Sequence, residues 1–224
     1  KEAQIIGGGS ASLKPHYQAH PLEAFKNKLG NQTNISYAKG CHTHKYLPKV
    51  KEELMDDEKG FLVEYFEGSK FDGNILVQEH LIGNKFWVFE GFAKEVIAKF
   101  DRPDISVKFS CAYTPDISGN HEFEIFGIGK ARLFIDGKEL IDNWTETSPG
   151  EAFFSFSSDS KKALVDLDEG KTYQLEIRYK FEGNFPAIYI GCQTPDKVNL
   201  FDEALEVAKA ADQVVLIVGT NSDW

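Results

Sequence analysis

The chain has 224 residues, 42% of them hydrophobic and 13% aromatic, which supports a packed core and excludes a disordered chain. Its 25 basic and 35 acidic residues leave a formal charge of −10, which argues against nucleic acid or an anionic membrane as main partner, and no apolar run approaches the ~18 residues of a membrane span. Three cysteines (Cys41, Cys111, Cys192) cannot all pair, so reduced, buried thiols are expected rather than a disulfide framework, which tilts an otherwise open localisation toward the cytoplasm.

In chain order, Gly7–Ser12 is a glycine-rich loop. It lacks the G-x-x-x-x-G-K-[ST] spacing of a phosphate cradle, and Leu13-Lys14-Pro15 starts no helix, so it reads as a tight turn. Pro21 opens a short helix whose inner face is Leu22, Phe25 and Leu29, with Gly30 to close it. Ile35–Ala38 reads as a short strand. Cys41-His42-Thr43-His44 resembles a metal cluster, but no second Cys/His pair lies nearby, so no metal site is expected. Lys49–Glu58 carries Glu52-Glu53 and Asp56-Asp57 and reads as a solvated linker.

From there the pattern changes. Sixteen of the 18 Phe lie between Phe61 and Phe185. Phe61, Val63 and Tyr65, then Val107 to Tyr113, then Tyr173 to Phe181 alternate with polar residues at a period of two, the mark of half-buried strands. Turn pairs recur at Asp72-Gly73, Ser118-Gly119, Asp136-Gly137, Glu169-Gly170 and Glu182-Gly183, and many short strands with regular turns point to a sandwich or barrel. Thr194–Lys197 reads as a second linker. Asn199 caps a helix over Asn199 to Asp212 with Phe201, Ala204, Leu205, Ala208 and Ala211 on one face, and Gln213–Gly219 reads as a parallel strand covered on both sides. The flanks are therefore α/β and the middle all-β.

One motif suggests ligand chemistry. Trp144, Gly150 and Phe153-Phe154 border a polar, turn-rich stretch. Adjacent strand residues face opposite ways, so one Phe is expected in the core and the other outside it. An exposed ring on a loop suits the apolar CH face of a sugar. Phe153, Phe154 and Trp144 are the candidate substrate-binding residues. Burial of both rings by loop packing is the competing reading.

Gln4–Ala11, Tyr17, Pro21-Leu22-Glu23, Tyr37–Cys41 and Val218–Trp224 resemble the second domain of glycoside hydrolase family 3 β-glucosidases. Gly60–Phe66, Ser118–Phe123, Leu133–Gly137, Ile141–Asn143 and Gly170–Tyr173 resemble a protective-antigen-type (PA14) β-sandwich, which some members of that family carry inserted at this place. The resemblance implies a partial α/β sandwich domain (1–57 and 196–224) interrupted by an antiparallel β-sandwich or barrel (58–195). It implies a parent that is a retaining glucosidase acting on terminal β-linked glucose. The nucleophile would belong to a barrel domain absent here and the acid/base Glu would follow Trp224, so no catalytic residue is expected in this chain. Related adhesin modules hold calcium through adjacent Asp residues, a pair the β region lacks, so no metal or cofactor is expected. The implied role of the module is to narrow the aglycone side of the pocket, and the expected partners are a small oligosaccharide or glucoside and the missing barrel domain, with homo-oligomerisation left open. An independent carbohydrate-binding or adhesion module without catalysis is the alternative, and a spacer or dimer contact a third.

Overall fold

In chain order the strands are β1 (Phe61–Glu67), β2 (Ile75–Leu81), β3 (Lys85–Trp87), β4 (Ile105–Tyr113), β5 (Gly119–Gly127), β6 (Gly129–Ile135), β7 (Lys138–Asn143), β8 (Lys161–Leu167), β9 (Tyr173–Phe181) and β10 (Ala187–Gln193). The computed structural model describes residues 15–56, 59–88, 91–92, 105–183 and 185–219; the Gly7–Ser12 loop and the 220–224 end of the last motif lie outside these. One sheet has the order β2-β1-β4-β9-β6-β7 and the other β3-β10-β5-β8. Every ladder between the strands is antiparallel.

The period-two pattern builds the core. Phe61, Val63 and Tyr65 of β1, Val107, Phe109 and Tyr113 of β4 and Leu175, Ile177 and Tyr179 of β9 point inward from the first sheet. Phe123 and Ile125 of β5 and Ile188, Ile190 and Cys192 of β10 meet them from the second. Each fully buried large side chain stabilises by ~1.5–3 kcal/mol relative to exposure. Buried phenol groups are paired: the Tyr179 hydroxyl donates to the Ile128 carbonyl at 2.8 Å and accepts from the Ala187 N–H at 3.0 Å. The Asp136-Gly137 turn closes the β6–β7 hairpin with both residues at positive φ, the primed geometry that matches strand twist.

The chain divides into two compact units, one made of 1–46 with 196–224 and the other of 47–195. The described part of the Lys49–Glu58 stretch, residues 49–56, is therefore not a solvated linker, and residues 57 and 58 lie outside the described residues. Val50, Leu54 and Met55 are buried in the β core, the Thr114 N–H donates to the Leu54 carbonyl at 2.8 Å, and only the charged side chains between them face water. Further back, the Leu47 segment crosses the outer face of β10 so closely that a Cβ on Gly191 would stand 2.8 Å from the Leu47 carbonyl oxygen. Glu124, 0% exposed, receives the Leu47 N–H and the Ser160 hydroxyl there.

The flanking unit contributes helix α1 (Pro21–Leu29) and helix α2 (Leu200–Lys209). Asn199 caps α2, its Oδ1 accepting from the N–H groups of Phe201 and Asp202 at 3.0 and 3.2 Å. Two expected strands are not seen among the described residues: Ile35–Ala38 and Val214–Val218 join no ladder there, and the second run lies exposed. An apolar run becomes a strand only where a neighbouring strand forms a ladder with it, and neither run is part of a ladder among the described residues. The thiols are free but not uniformly buried: Cys192 is buried, Cys111 half-buried and Cys41 exposed. Burial pushes the Cys111 and Cys192 thiols up to about 12, which leaves both unreactive at neutral pH.

Candidate functional site

The outer face of the second sheet carries an aromatic cluster. Phe126 of β5 and Tyr189 of β10 are directly paired across the ladder. The Tyr189 hydroxyl donates to the Leu47 carbonyl at 2.8 Å and accepts from the Asn84 amide at 2.7 Å. Phe153 lies against Phe126, with ring centroids 6.1 Å apart, and Trp87 of β3 contacts both Phe153 (6.1 Å) and Phe154 (6.2 Å). The Lys85 ammonium sits 4.5 Å from the Trp87 ring centroid and 5.4 Å from that of Phe153. Phe185 adds contacts to Phe154 at 6.4 Å and Phe156 at 6.0 Å.

A single turn presents Phe153, Phe154 and Phe156. Its neck is closed by backbone hydrogen bonds from Gly150 N–H to the Ser157 carbonyl (2.8 Å) and from Asp159 N–H to the Ser148 carbonyl (2.6 Å). At Gly150 a Cβ would meet the Ser158 carbonyl oxygen at 2.3 Å, so only glycine fits. Between these ties, Phe153, Phe154 and Ser155 all adopt left-handed backbone, with φ of 50°, 62° and 65°. Each such non-glycine residue costs ~1–2 kcal/mol, a strain the surrounding contacts must offset. Phe153 is 7% exposed and anchors the turn, while Phe154 is 71% exposed and projects from it. One ring is thus inside and the other outside, but the cause is this left-handed turn and not the strand alternation expected from the sequence.

Trp144 does not join them. Its ring lies 6.1 Å from Phe71 and 5.5 Å from the Arg132 guanidinium, on the outer face of the first sheet. Asp142 holds that corner, accepting from the Trp144 and Thr145 N–H groups at 2.8 and 3.0 Å and from Arg132 Nε at 3.3 Å. Partial burial raises the Asp142 carboxyl, but hydrogen bonds from Thr145, Trp144 and Arg132 outweigh it and hold the group well below the usual carboxylate range. The preceding Asn143 is 1% exposed, its amide donating to the Ser158 hydroxyl (2.9 Å) and the Asp159 carbonyl (3.1 Å).

Sequence reasoning missed Trp87, Phe126, Phe156, Phe185 and Tyr189. Phe126 and Tyr189 were legible as the outward members of alternating strands; the others come together only through tertiary structure. In the flanking unit, His42 Nε2 lies 2.7 Å from the Asp196 carboxylate and His42 Nδ1 lies 2.9 Å from the Lys39 ammonium. Gly40, Cys41, His42, Asp196 and Phe201 line an open cleft of about 470 Å³ there, and no third metal-ligating group joins the pair among the described residues.

A family model for the PA14 domain matches residues 57–184. A β-glucosidase of Rhizobium radiobacter is 28% identical over 228 residues, covering 99% of this chain and 26% of its own length. β-Glucosidase B of Emericella nidulans is 28% identical over 240 residues, covering 100% of this chain and 27% of its own length. The structure of a β-glucosidase from Kluyveromyces marxianus in complex with glucose superposes with a TM-score of 0.74 at 22% identity, covering 97% of this chain and 28% of that one, which shows a shared fold. The chain thus spans about a quarter of the length of the relatives it matches.

Proposed function

The chain belongs to the PA14 domain family, and on that premise we propose that it is a segment of a retaining β-glucosidase that removes terminal β-linked glucose from short oligosaccharides or glucosides. In this reading residues 1–46 and 196–224 are parts of an α/β sandwich domain, and the β-sandwich unit of residues 47–195 between them is an insert that shapes the aglycone side of the pocket. The catalytic carboxylates lie outside this chain, which hydrolyses nothing alone. Relatives named β-glucosidase that align with the chain from end to end support the parent activity, and a structural neighbour with bound glucose supports a glucoside substrate.

The observation that carries the pocket-shaping role is Phe154. A large apolar ring left 71% exposed is held out by three strained residues and braced from below by Phe153, Trp87 and Phe126. Strained backbone under an exposed aromatic side chain is the pattern of a preformed ligand contact. Phe154 makes that contact and Phe153 positions it; Trp144, facing other rings, is the weakest of the three candidates. The test is Phe154→Ala in the intact enzyme. KM for disaccharides should rise several-fold more than KM for small aryl glucosides, and equal effects on both substrates would remove the role.

A further inference from the structure

Five non-glycine residues have positive φ among the described residues: Phe71, Asp136, Phe153, Phe154 and Ser155. Asp136 belongs to the β6–β7 turn, and the last three to the turn under Phe154. Phe71, at φ 61°, remains. It sits in the β1–β2 connection, on the outer face of the first sheet, where its ring contacts Trp144 at 6.1 Å and Phe66 at 6.5 Å. The Arg178 guanidinium lies 5.9 Å from the Phe71 ring and 4.8 Å from Phe134, and Arg132 lies 5.5 Å from Trp144. The strained backbone thus brings an aromatic ring to a row of rings and guanidinium groups, and both Phe71 and Trp144 stay partly open to solvent.

We propose that Phe71 and Trp144, flanked by Arg132 and Arg178, form a second sugar-binding surface on the sheet face opposite the Phe154 cluster, and that its ligand is a neutral β-linked glucan chain. Charge selects the class. Arg178 pairs with Glu176 at 2.6 Å, Arg132 with Asp142 and Glu139 at 3.3 and 3.4 Å, and Lys108 with Glu64, so an anionic ligand finds its cations already matched. Each guanidinium has five N–H donors and keeps some of them for hydroxyl groups, while the carboxylates accept. The rings supply the apolar part. β-Linked glucose carries its hydroxyls equatorially and presents CH faces above and below, which matches flat rings bordered by planar donors and acceptors. This surface is independent of the pocket-shaping role: either can fail while the other stands.

The whole 224-residue chain, labelled with nitrogen-15, is titrated with cellotetraose and with laminaritetraose while the indole N–H signals are followed. The Trp144 signal is assigned by its disappearance in Trp144→Phe. It should move and saturate in the low millimolar range, at about 1 mM, while Trp87 stays fixed. Phe71→Gly removes the ring and the left-handed strain together, so it should fold with little change in thermal midpoint and bind about tenfold more weakly or worse. A Trp144 signal unmoved at ~10 mM of both sugars, movement of Trp87 in its place, or undiminished binding by folded Phe71→Gly would each overturn the proposal.

Discussion

The rings of Phe126 and Tyr189 stack 4.7 Å apart with only 9° between their planes, on residues that face each other across the β5–β10 ladder. This cross-strand pair is the floor on which the Phe153 turn rests, and the Tyr189 hydroxyl extends it to the entry segment at Leu47. The platform and the start of the module are therefore one packed assembly.

Tyr189→Phe should keep the stack but orphan the Leu47 carbonyl and the Asn84 amide. We expect a loss of about 1–3 kcal/mol in urea unfolding with the ring cluster intact.

Ser155→Gly removes strain without touching a ring. Its φ of 65° is free for glycine, so the gain should reach ~1 kcal/mol after glycine's own entropy cost, a rise of ~2–4 °C in Tm for a protein of this size. The aromatic surface should bind as before. A fall in Tm would show that the left-handed turn is not strained.

Asp142 gives a pH signature. Its carboxyl is depressed in the folded chain, so its contribution is present above the unfolded carboxylate value of ~3.9 and fades as pH falls toward the folded value. Asp142→Asn should therefore destabilise the chain at pH 7, with the gap to the native chain narrowing steadily below about pH 4. Denaturant midpoints between neutral and acidic pH read this directly.

The core was legible because period-two patterns carry their own register: Phe61, Val63 and Tyr65 announced the buried face before any neighbour was known. The Asp136-Gly137 hairpin was legible because two residues of local chemistry dictate it. Val214–Val218 failed for the opposite reason, since a continuous apolar run states burial but not which segment covers it. Lys49–Glu58 was misread because its charges outnumber the three apolar residues that decide where it packs. The Phe153-Phe154 pair signalled one ring in and one out, but three consecutive left-handed residues have no sequence marker when none is glycine. Trp144, close in sequence, separated from the pair because Asn143 turns into the interior and sends its neighbour to the other face.

The most direct test of the account replaces residues 47–195 of the intact enzyme with a short glycine-serine connection and measures kcat/KM on a series of β-glucan oligosaccharides of increasing length. If the module narrows the aglycone side, the shortened enzyme should lose its preference for short substrates and cleave longer chains at a rate closer to that for disaccharides. A shortened enzyme that folds, hydrolyses aryl glucosides and keeps the same chain-length profile would contradict it.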